Sequence, residues 1–153
     1  MSAAHDVRLH PFLRPDHWDV ADLWIANWGP DMPALSVHDR HDWLFEHIET
    51  LHEAGSRTIC AVNAANGAVA GFVTLHPGEG ALTRIVVAQS ARGSGVAGAL
   101  MESAKALSAG VLRARAPLQD AKARRFFLRE GFVRTGDADG FTLMTWRRRS
   151  SLL

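Results

Sequence analysis

The sequence has few of the features that hold small domains together covalently or through metals. It contains a single cysteine, Cys60, in 153 residues, which excludes an intrachain disulfide and a cysteine-based zinc site and favours a reducing compartment. We expect this thiol to be a small buried apolar group. The eight histidines show no recognised metal-ligand spacing, so no metal is expected. A chain of this length buries a core unaided, and residues 1–153 are predicted to form one domain.

Long apolar runs and an excess of charge of one sign are also absent. No stretch approaches the roughly 20 apolar residues that span a bilayer, and Met1 to Asp6 lacks the charged and apolar regions of a secretion signal. The 17 basic and 16 acidic side chains nearly balance, whereas domains that bind nucleic-acid phosphates usually carry an excess of Lys and Arg. We therefore expect a cytoplasmic protein with neither a nucleic acid nor a membrane as partner.

Hydrophobic periodicity divides the chain into alternating helices and strands. The predicted order is a strand at 7–13, helices at 16–28 and 37–54, strands at 58–63, 69–76 and 82–88, a helix that opens at 92–95 and stops near 110, a strand at 111–116, a helix at 118–130, and strands at 132–135 and 141–146. Three of the strands follow one another directly, which predicts an antiparallel meander in the middle of the chain.

Several local features are predicted within these elements. Asp16 is a suitable N-cap for the first helix, whose apolar stripe is predicted to be Trp18, Ala21, Ile25 and Trp28. The pair Asn66-Gly67 is typical of a tight turn in which both residues adopt positive φ. The continuous apolar end of the strand at 82–88 predicts burial on both faces near the centre of the sheet.

The clearest functional signal is the loop between that strand and the next helix. It runs through Ala88 to Ala91 into Arg92-Gly93-Ser94-Gly95-Val96-Ala97-Gly98. Glycines let a ligand approach the backbone closely, and the free N–H groups and dipole at a helix N-terminus favour an oxyanion such as pyrophosphate. Arg92 can add a charge-assisted contact.

This loop resembles the acetyl-CoA loop of the GNAT superfamily of N-acetyltransferases, whose pattern is Gln/Arg-x-x-Gly-x-Gly/Ala. Arg92, Gly95 and Ala97 fill that pattern. A second family segment, Asn-x-x-Ala-x-x-Phe-Tyr followed by Gly-Phe, has its counterpart in Asp120, Ala123, Phe126, Phe127, Gly131 and Phe132. The order of the predicted elements is similar to that of the family over nearly the whole chain.

The resemblance implies an α/β domain in which a mixed, mostly antiparallel twisted sheet of about seven strands is flanked by four helices. It also implies direct transfer of an acetyl group from acetyl-CoA to an amine. In the family the strand before the loop bulges and splays from the next strand, and one of its N–H groups polarises the acetyl carbonyl. The residues that the resemblance places against acetyl-CoA are Ile85, Val86, Val87, Arg92, Gly93, Ser94, Gly95, Val96, Ala97, Asp120 and Phe127.

The same loop also matches the dinucleotide fingerprint Gly-x-Gly-x-x-Gly at 93–98. That fingerprint belongs after the first strand of a doubly wound sheet, with an acidic residue about 20 positions later. Here Arg113 and Arg115 occupy that region, and an antiparallel meander precedes the loop. The context therefore argues against a dinucleotide site.

The catalytic residues differ from the family pattern. An attacking amine must lose a proton, and we expect Glu79 to be the base, with His76 and a water relay as alternatives. In much of the family a Tyr protonates the departing thiolate, but this sequence has no tyrosine and carries Phe127 at that position. A thiol with a pKa near 8.5 can depart unassisted, so the absence does not by itself exclude catalysis.

Tryptophans are concentrated in the first two predicted helices, which in the resembled family form one wall of the acceptor site. Trp24, Trp28 and Trp43 are predicted to line an apolar or aromatic pocket. The acceptor is expected to be an amine of a small molecule or protein, and a homodimer is common in the family. Two alternatives stay open at this point: a CoA-binding regulatory module without turnover, and a purely structural or interaction domain.

Overall fold

The computed structural model describes residues 6–29 and 32–149. Residues 1–5, on which the expectation about secretion partly rests, lie outside that range. The elements are β1 (Val7–Pro11), α1 (His17–Ala26), α2 (Val37–Glu53), β2 (Arg57–Asn63), β3 (Val69–His76), β4 (Ala81–Val87), α3 (Val96–Leu107), β5 (Val111–Pro117), α4 (Ala121–Arg129), β6 (Val133–Ala138) and β7 (Phe141–Arg147). None of the described helices is long and apolar enough to cross a membrane.

The seven strands form one sheet in the order β1-β2-β3-β4-β5-β7-β6. Every neighbouring pair is antiparallel except β4 and β5, which are parallel. The predicted architecture, a mixed and mostly antiparallel sheet with four helices, is therefore confirmed.

The centre of the sheet is irregular in two ways that matter for the site. The ladder between β3 and β4 shifts register after Thr74–Arg84, so that Thr83 is an extra residue in β4 and forms a bulge. On its other side β4 pairs with β5 only at Ala81–Arg113. Beyond that pair the two strands separate, and the sheet opens between them.

Two apolar clusters hold the helices against the sheet. On one face α1 and α2 pack on β2, β3 and β4 around Trp24, Leu44 and Phe72. The other cluster joins α3 and α4 to the sheet around Leu100 and Phe127. Burial of these large side chains away from water is the main stabilising contribution to such a fold.

The first helix is oriented differently from the prediction. Trp18, expected in the buried stripe, is 57% exposed, whereas Trp24 is only 1% exposed. The predicted cap is also different, because the Asp16 carboxylate accepts a hydrogen bond from the backbone N–H of Leu13 at 2.8 Å and makes no side-chain cap to α1. The buried face of α1 therefore includes Ala21 of the predicted stripe, but Trp24, which packs against Phe72, is buried in place of Trp18.

Two other local predictions were wrong. Gly67 has a φ of +74°, but Asn66 does not share the positive φ of a two-residue turn; its side chain instead accepts from the N–H of Ala68. The end of β4 is not buried on both faces, since Ile85 and Val87 are only half-buried. Both face the gap that opens when β4 leaves β5.

Candidate active site

The separation of β4 and β5 creates a cleft of about 590 Å³, here called the splay cleft. Its walls come from β4, β5, α4 and the end of α1. Seven of the eleven residues predicted to contact the cofactor line it directly: Ile85, Val86, Val87, Arg92, Ala97, Asp120 and Phe127. Asn27, at the end of α1, also lines the cleft and was not identified from the sequence.

The backbone of the loop at one end of this cleft is arranged as an anion site. Gly93 and Gly95 have φ of +78° and +89°, values that favour glycine, and the space beside both is open. Five backbone N–H groups of this loop and of the first turn of α3 have no acceptor among residues 6–29 and 32–149. They belong to Gly93, Gly95, Val96, Ala97 and Gly98. Such groups at the N-terminus of a twelve-residue helix bind phosphate oxygens well.

Two residues of the predicted loop contribute less than expected. The N–H and the hydroxyl of Ser94 both donate to the carbonyl oxygen of Ala91, so these donors are already used. The side chain of Val96 is buried in the core beside Leu100. Val96 can therefore offer only its backbone N–H to a ligand.

The open edge of β4 provides a second binding surface in the same cleft. Ile85, Val86 and Val87 lie past the single β4–β5 pair, where the strand has no hydrogen-bonded neighbour on that side. An extended ligand with amide groups can add to such an edge as an additional strand would. The bulge at Thr83 is the local distortion that accompanies this change of direction.

The α4 wall carries the second predicted segment. The Asp120 carboxylate caps α4 by accepting from the N–H of Ala123 at 3.0 Å, which satisfies one helix donor. Phe127 is 5% exposed and packs against Phe126 and Phe132. Its ring fills the cleft wall but supplies no proton.

A second and larger opening, of about 840 Å³, is lined by residues of α1, α2, β4, β5 and β7. We call it the arginine cavity, because Arg84, Arg113, Arg115 and Arg147 line it. It shares residues 82–84 and 114–115 with the splay cleft, so the two openings meet where β4 and β5 part. A ligand in one could therefore contact a ligand in the other.

The three predicted acceptor tryptophans are divided between these openings. Trp24 and Trp43 line the arginine cavity, whereas Trp28 lines the splay cleft. Trp28 also donates from Nε1 to the carbonyl oxygen of Pro33 at 3.0 Å and lies under the Arg40 guanidinium. Trp24 is at the same time part of the core, beside Phe72.

His47 is a functional candidate that sequence reasoning missed. It lines the arginine cavity, stacks on Trp43 with ring centroids 4.4 Å apart and meets the edge of Trp24. Burial lowers the pKa of His47 below its usual value, and the positive charge of Arg84 lowers it further. The available signal was the spacing of Trp43 and His47, four residues apart on one helix face.

Glu79, the predicted base, is placed elsewhere. It lies in the turn between β3 and β4 with its side chain 73% exposed, and it lines neither opening. The alternative His76 is engaged in the same turn, with Nε2 donating to the Ala54 carbonyl and Nδ1 accepting from the Glu79 N–H. The structure therefore does not bring either group to the place where the two openings meet.

The fold is shared by many solved structures. A histone acetyltransferase HPA2 and related acetyltransferase from Corynebacterium glutamicum superposes with a TM-score of 0.76 at 17% identity, over 95% of this chain and 98% of that one. The PaiA N-acetyltransferase from Thermoplasma acidophilum, solved with coenzyme A, gives 0.71 at 13% identity over 96% and 99%. A GNAT-family acetyltransferase from Staphylococcus aureus gives 0.72 at 14% over 94% and 99%. At these identities the likeness concerns the fold.

Sequence comparison with family models is more specific. Curated protein sequences contain no match to this chain. The model of the acetyltransferase (GNAT) domain matches residues 55–134, which are 80 of the 153 residues and include β4, the loop, α3 and α4. This segment supplies most of the lining of the splay cleft and the loop with the free N–H groups. With more than half of its length matched, the chain belongs to the GNAT acetyltransferase family.

Proposed function

We propose that this protein transfers the acetyl group of acetyl-CoA directly to the amine of a small molecule or peptide. The observation that carries the proposal is the junction of the two openings. One opening combines an anion site with an unpaired strand edge, and the other is a separate cavity that reaches the same point on β4. That arrangement suits a reaction between two bound substrates.

The residues of the splay cleft fit acetyl-CoA in both charge and shape. The free N–H groups of the loop and the Arg92 guanidinium would hold the pyrophosphate. The open edge of β4 would pair with the amides of the pantetheine arm, with Ile85 and Val87 against its apolar parts. A β4 N–H near the thioester would polarise its carbonyl, a contribution of about 2.7–4 kcal/mol in comparable oxyanion sites.

His47 is our candidate for the base that accepts a proton from the acceptor ammonium group. It lines the cavity assigned to the acceptor, and its lowered pKa keeps the imidazole neutral near pH 7. The neutral amine then attacks the thioester carbon and the C–N bond forms. The nitrogen releases its remaining extra proton to solvent as the C–S bond breaks and the thiolate leaves. The thiolate takes a proton from solvent, since Phe127 has none to give and a thiol of pKa near 8.5 is a competent leaving group.

The decisive test is calorimetric titration of the protein with acetyl-CoA, CoA and NADPH, repeated with Gly95→Asp. A carboxylate at position 95 would repel phosphate, so binding of the CoA compounds should be lost. Gly67→Asp is the matched control: Gly67 has a similar positive φ and equally open surroundings but lies in the β2–β3 turn, away from both openings. Equal weakening in both variants, or no CoA binding at all, would contradict the proposal.

A second candidate function is a CoA-binding module without turnover. The observation that favours it is the phenylalanine at position 127, where much of the family uses a tyrosine as proton donor. A screen of amines for release of free thiol from acetyl-CoA separates the two. Binding of acetyl-CoA with no thiol release above the rate of hydrolysis, across neutral, cationic and anionic amines, would favour the module.

Location and assembly are further parts of the proposal. The single buried cysteine and the balanced charge support a cytoplasmic protein that acts on neither nucleic acid nor membrane. A homodimer through the β6–β7 end of the sheet is supported by the exposed edge at β6, where Val133 is largely accessible. Sedimentation analysis of the purified protein would test that arrangement.

A further inference from the structure

Four arginines line the arginine cavity, and three of them, Arg113, Arg115 and Arg147, form no ion pair with a carboxylate among the described residues. Arg113 donates from Nη1 to the Glu79 carbonyl oxygen at 3.1 Å, which is a neutral acceptor. The Arg115 guanidinium lies 4.6 Å from the centre of the Phe141 ring. Neither these two residues nor Arg147 takes part in an ion pair within 6–29 and 32–149.

The position of these arginines follows from the sheet. Side chains two residues apart on a strand share a face, so Arg113 and Arg115 of β5 extend on the same side. The β5–β7 register places Thr145 opposite Arg113 and Leu143 opposite Arg115, and Arg147 pairs with Val111 on that side as well. Helices α1 and α2 pack on this face over β2 to β4, and the three arginines beyond them are exposed where they line the cavity.

The indole N–H of Trp24 is a second, independent indication of a ligand in this cavity. Trp24 is 1% exposed and lines the cavity, and its Nε1 has no acceptor among the described residues. Buried donors of this kind are almost always satisfied in folded proteins. An acceptor atom supplied by a ligand or by water in the cavity would satisfy it.

We propose that the acceptor amine carries an oxyanion, a carboxylate or a phosphate, next to an aromatic or apolar body. This inference rests on the proposed function for the transfer step. The guanidinium groups of Arg113 and Arg147 would bind the oxyanion, and the rings of Trp24, Trp43 and His47 would pack on the apolar part. A polyamine or a lysine-rich tail is disfavoured, because its additional positive charges would face the arginines.

The same charges assist the reaction of such an acceptor. Cationic neighbours disfavour the ammonium form of an amine and so lower its pKa. An acceptor held through its oxyanion would therefore place its amine in a field that promotes loss of the proton. Arg115 lies at the junction with the splay cleft, where that amine would have to react.

The test measures binding of two acetylated aromatic amines that differ only in a carboxylate, N-acetyltryptophan and N-acetyltryptamine. Calorimetry is carried out on the CoA-saturated protein and repeated without CoA, so the result does not depend on turnover. Phenyl phosphate serves as the phosphate probe. We expect N-acetyltryptophan or phenyl phosphate to bind at least tenfold more tightly than N-acetyltryptamine, and the stronger of the two identifies the oxyanion.

The double variant Arg113→Gln with Arg147→Gln should reduce that preference at least tenfold. Its matched control removes the same charge from exposed arginines at the opposite end of the sheet, Arg8→Gln with Arg57→Gln. Equal binding of the charged and uncharged probes, or binding of neither, would overturn the inference. So would a loss of CoA affinity in the first variant, because the arginines would then hold the phosphates of CoA. Failure of the proposed function would appear separately, as absence of CoA binding to the wild-type protein.

Discussion

The stability of the point where β4 and β5 part is predicted to depend on Gly80. Its carbonyl oxygen accepts from the Arg113 N–H at 2.6 Å, and its N–H donates to the His76 carbonyl at 2.9 Å. Its φ is +75°, and a Cβ at this position would lie 2.8 Å from the Val111 carbonyl oxygen. Gly80→Ala therefore introduces both backbone strain and a collision with backbone.

The size of the effect can be worked out by comparison with Gly67→Ala. Gly67 has nearly the same φ, +74°, but nothing lies within 4 Å of a Cβ built at this position. Gly67→Ala should therefore lower the free energy of unfolding only by the cost of a left-handed alanine, about 1–2 kcal/mol. Gly80→Ala adds the collision, which requires a shift of one strand, and we expect a loss of about 2–4 kcal/mol. In a chain of this size each kcal/mol lowers Tm by roughly 2–4 °C.

The assay is urea unfolding of the wild type and both variants, followed by circular dichroism and analysed for the free energy of unfolding. The expected order of stability is wild type, Gly67→Ala and then Gly80→Ala. If Gly80→Ala were as stable as Gly67→Ala, the close approach of the β3–β4 turn to β5 would not exist in solution. The geometry described here for the point where β4 and β5 separate would then be wrong.

Three further predictions concern titratable groups. If His47 is the base, kcat/KM should rise as pH increases through a pKa below 6.5, because the imidazole is active when neutral. In His47→Gln this rise of kcat/KM with pH should disappear, while the affinity for CoA stays the same. Burial and nearby His17 lower the pKa of His52, so the unfolded state binds more protons and stability should fall as pH drops below 6.5. The difference in Tm between pH 7.5 and pH 5.5 should therefore be smaller in His52→Gln than in the wild type. Burial, with Asp16 adding, raises the pKa of the Cys60 thiol to about 12, so it should not react with a thiol reagent until urea unfolds the protein; reaction in the native state would contradict its burial.

Local features of the chain were predictable because they depend on neighbouring residues. The strand–loop–helix unit around Gly93 and Gly95 could be identified, since positive φ and free N–H groups are properties of the loop itself. The strand alternation after Gly55 predicted β2 and β3, and the short turns that follow predicted the antiparallel meander of β2, β3 and β4. The helix that ends before Gly131, whose φ is +90°, was located for the same reason.

The orientation of α1 and the composition of the cavity depend on long-range contacts, which local sequence patterns do not predict. The orientation of α1 depends on which tryptophan fits beside Phe72, and the structure buries Trp24 where periodicity favoured Trp18. Glu79 is close in sequence to β4 but remains in solvent, while His47, more than thirty residues away, lines the arginine cavity.

The order of the elements, the glycine-rich loop with its free N–H groups and the similarity to the GNAT family can all be read from local sequence patterns. The arginine cavity could not be read in this way, because its residues come from α1, α2, β4, β5 and β7 and meet only when the sheet is assembled. Arg113 and Arg115 illustrate the difference. In sequence they are two charges on a strand, and they line one cavity together with Arg147 only because the β5–β7 register places all three on the same face.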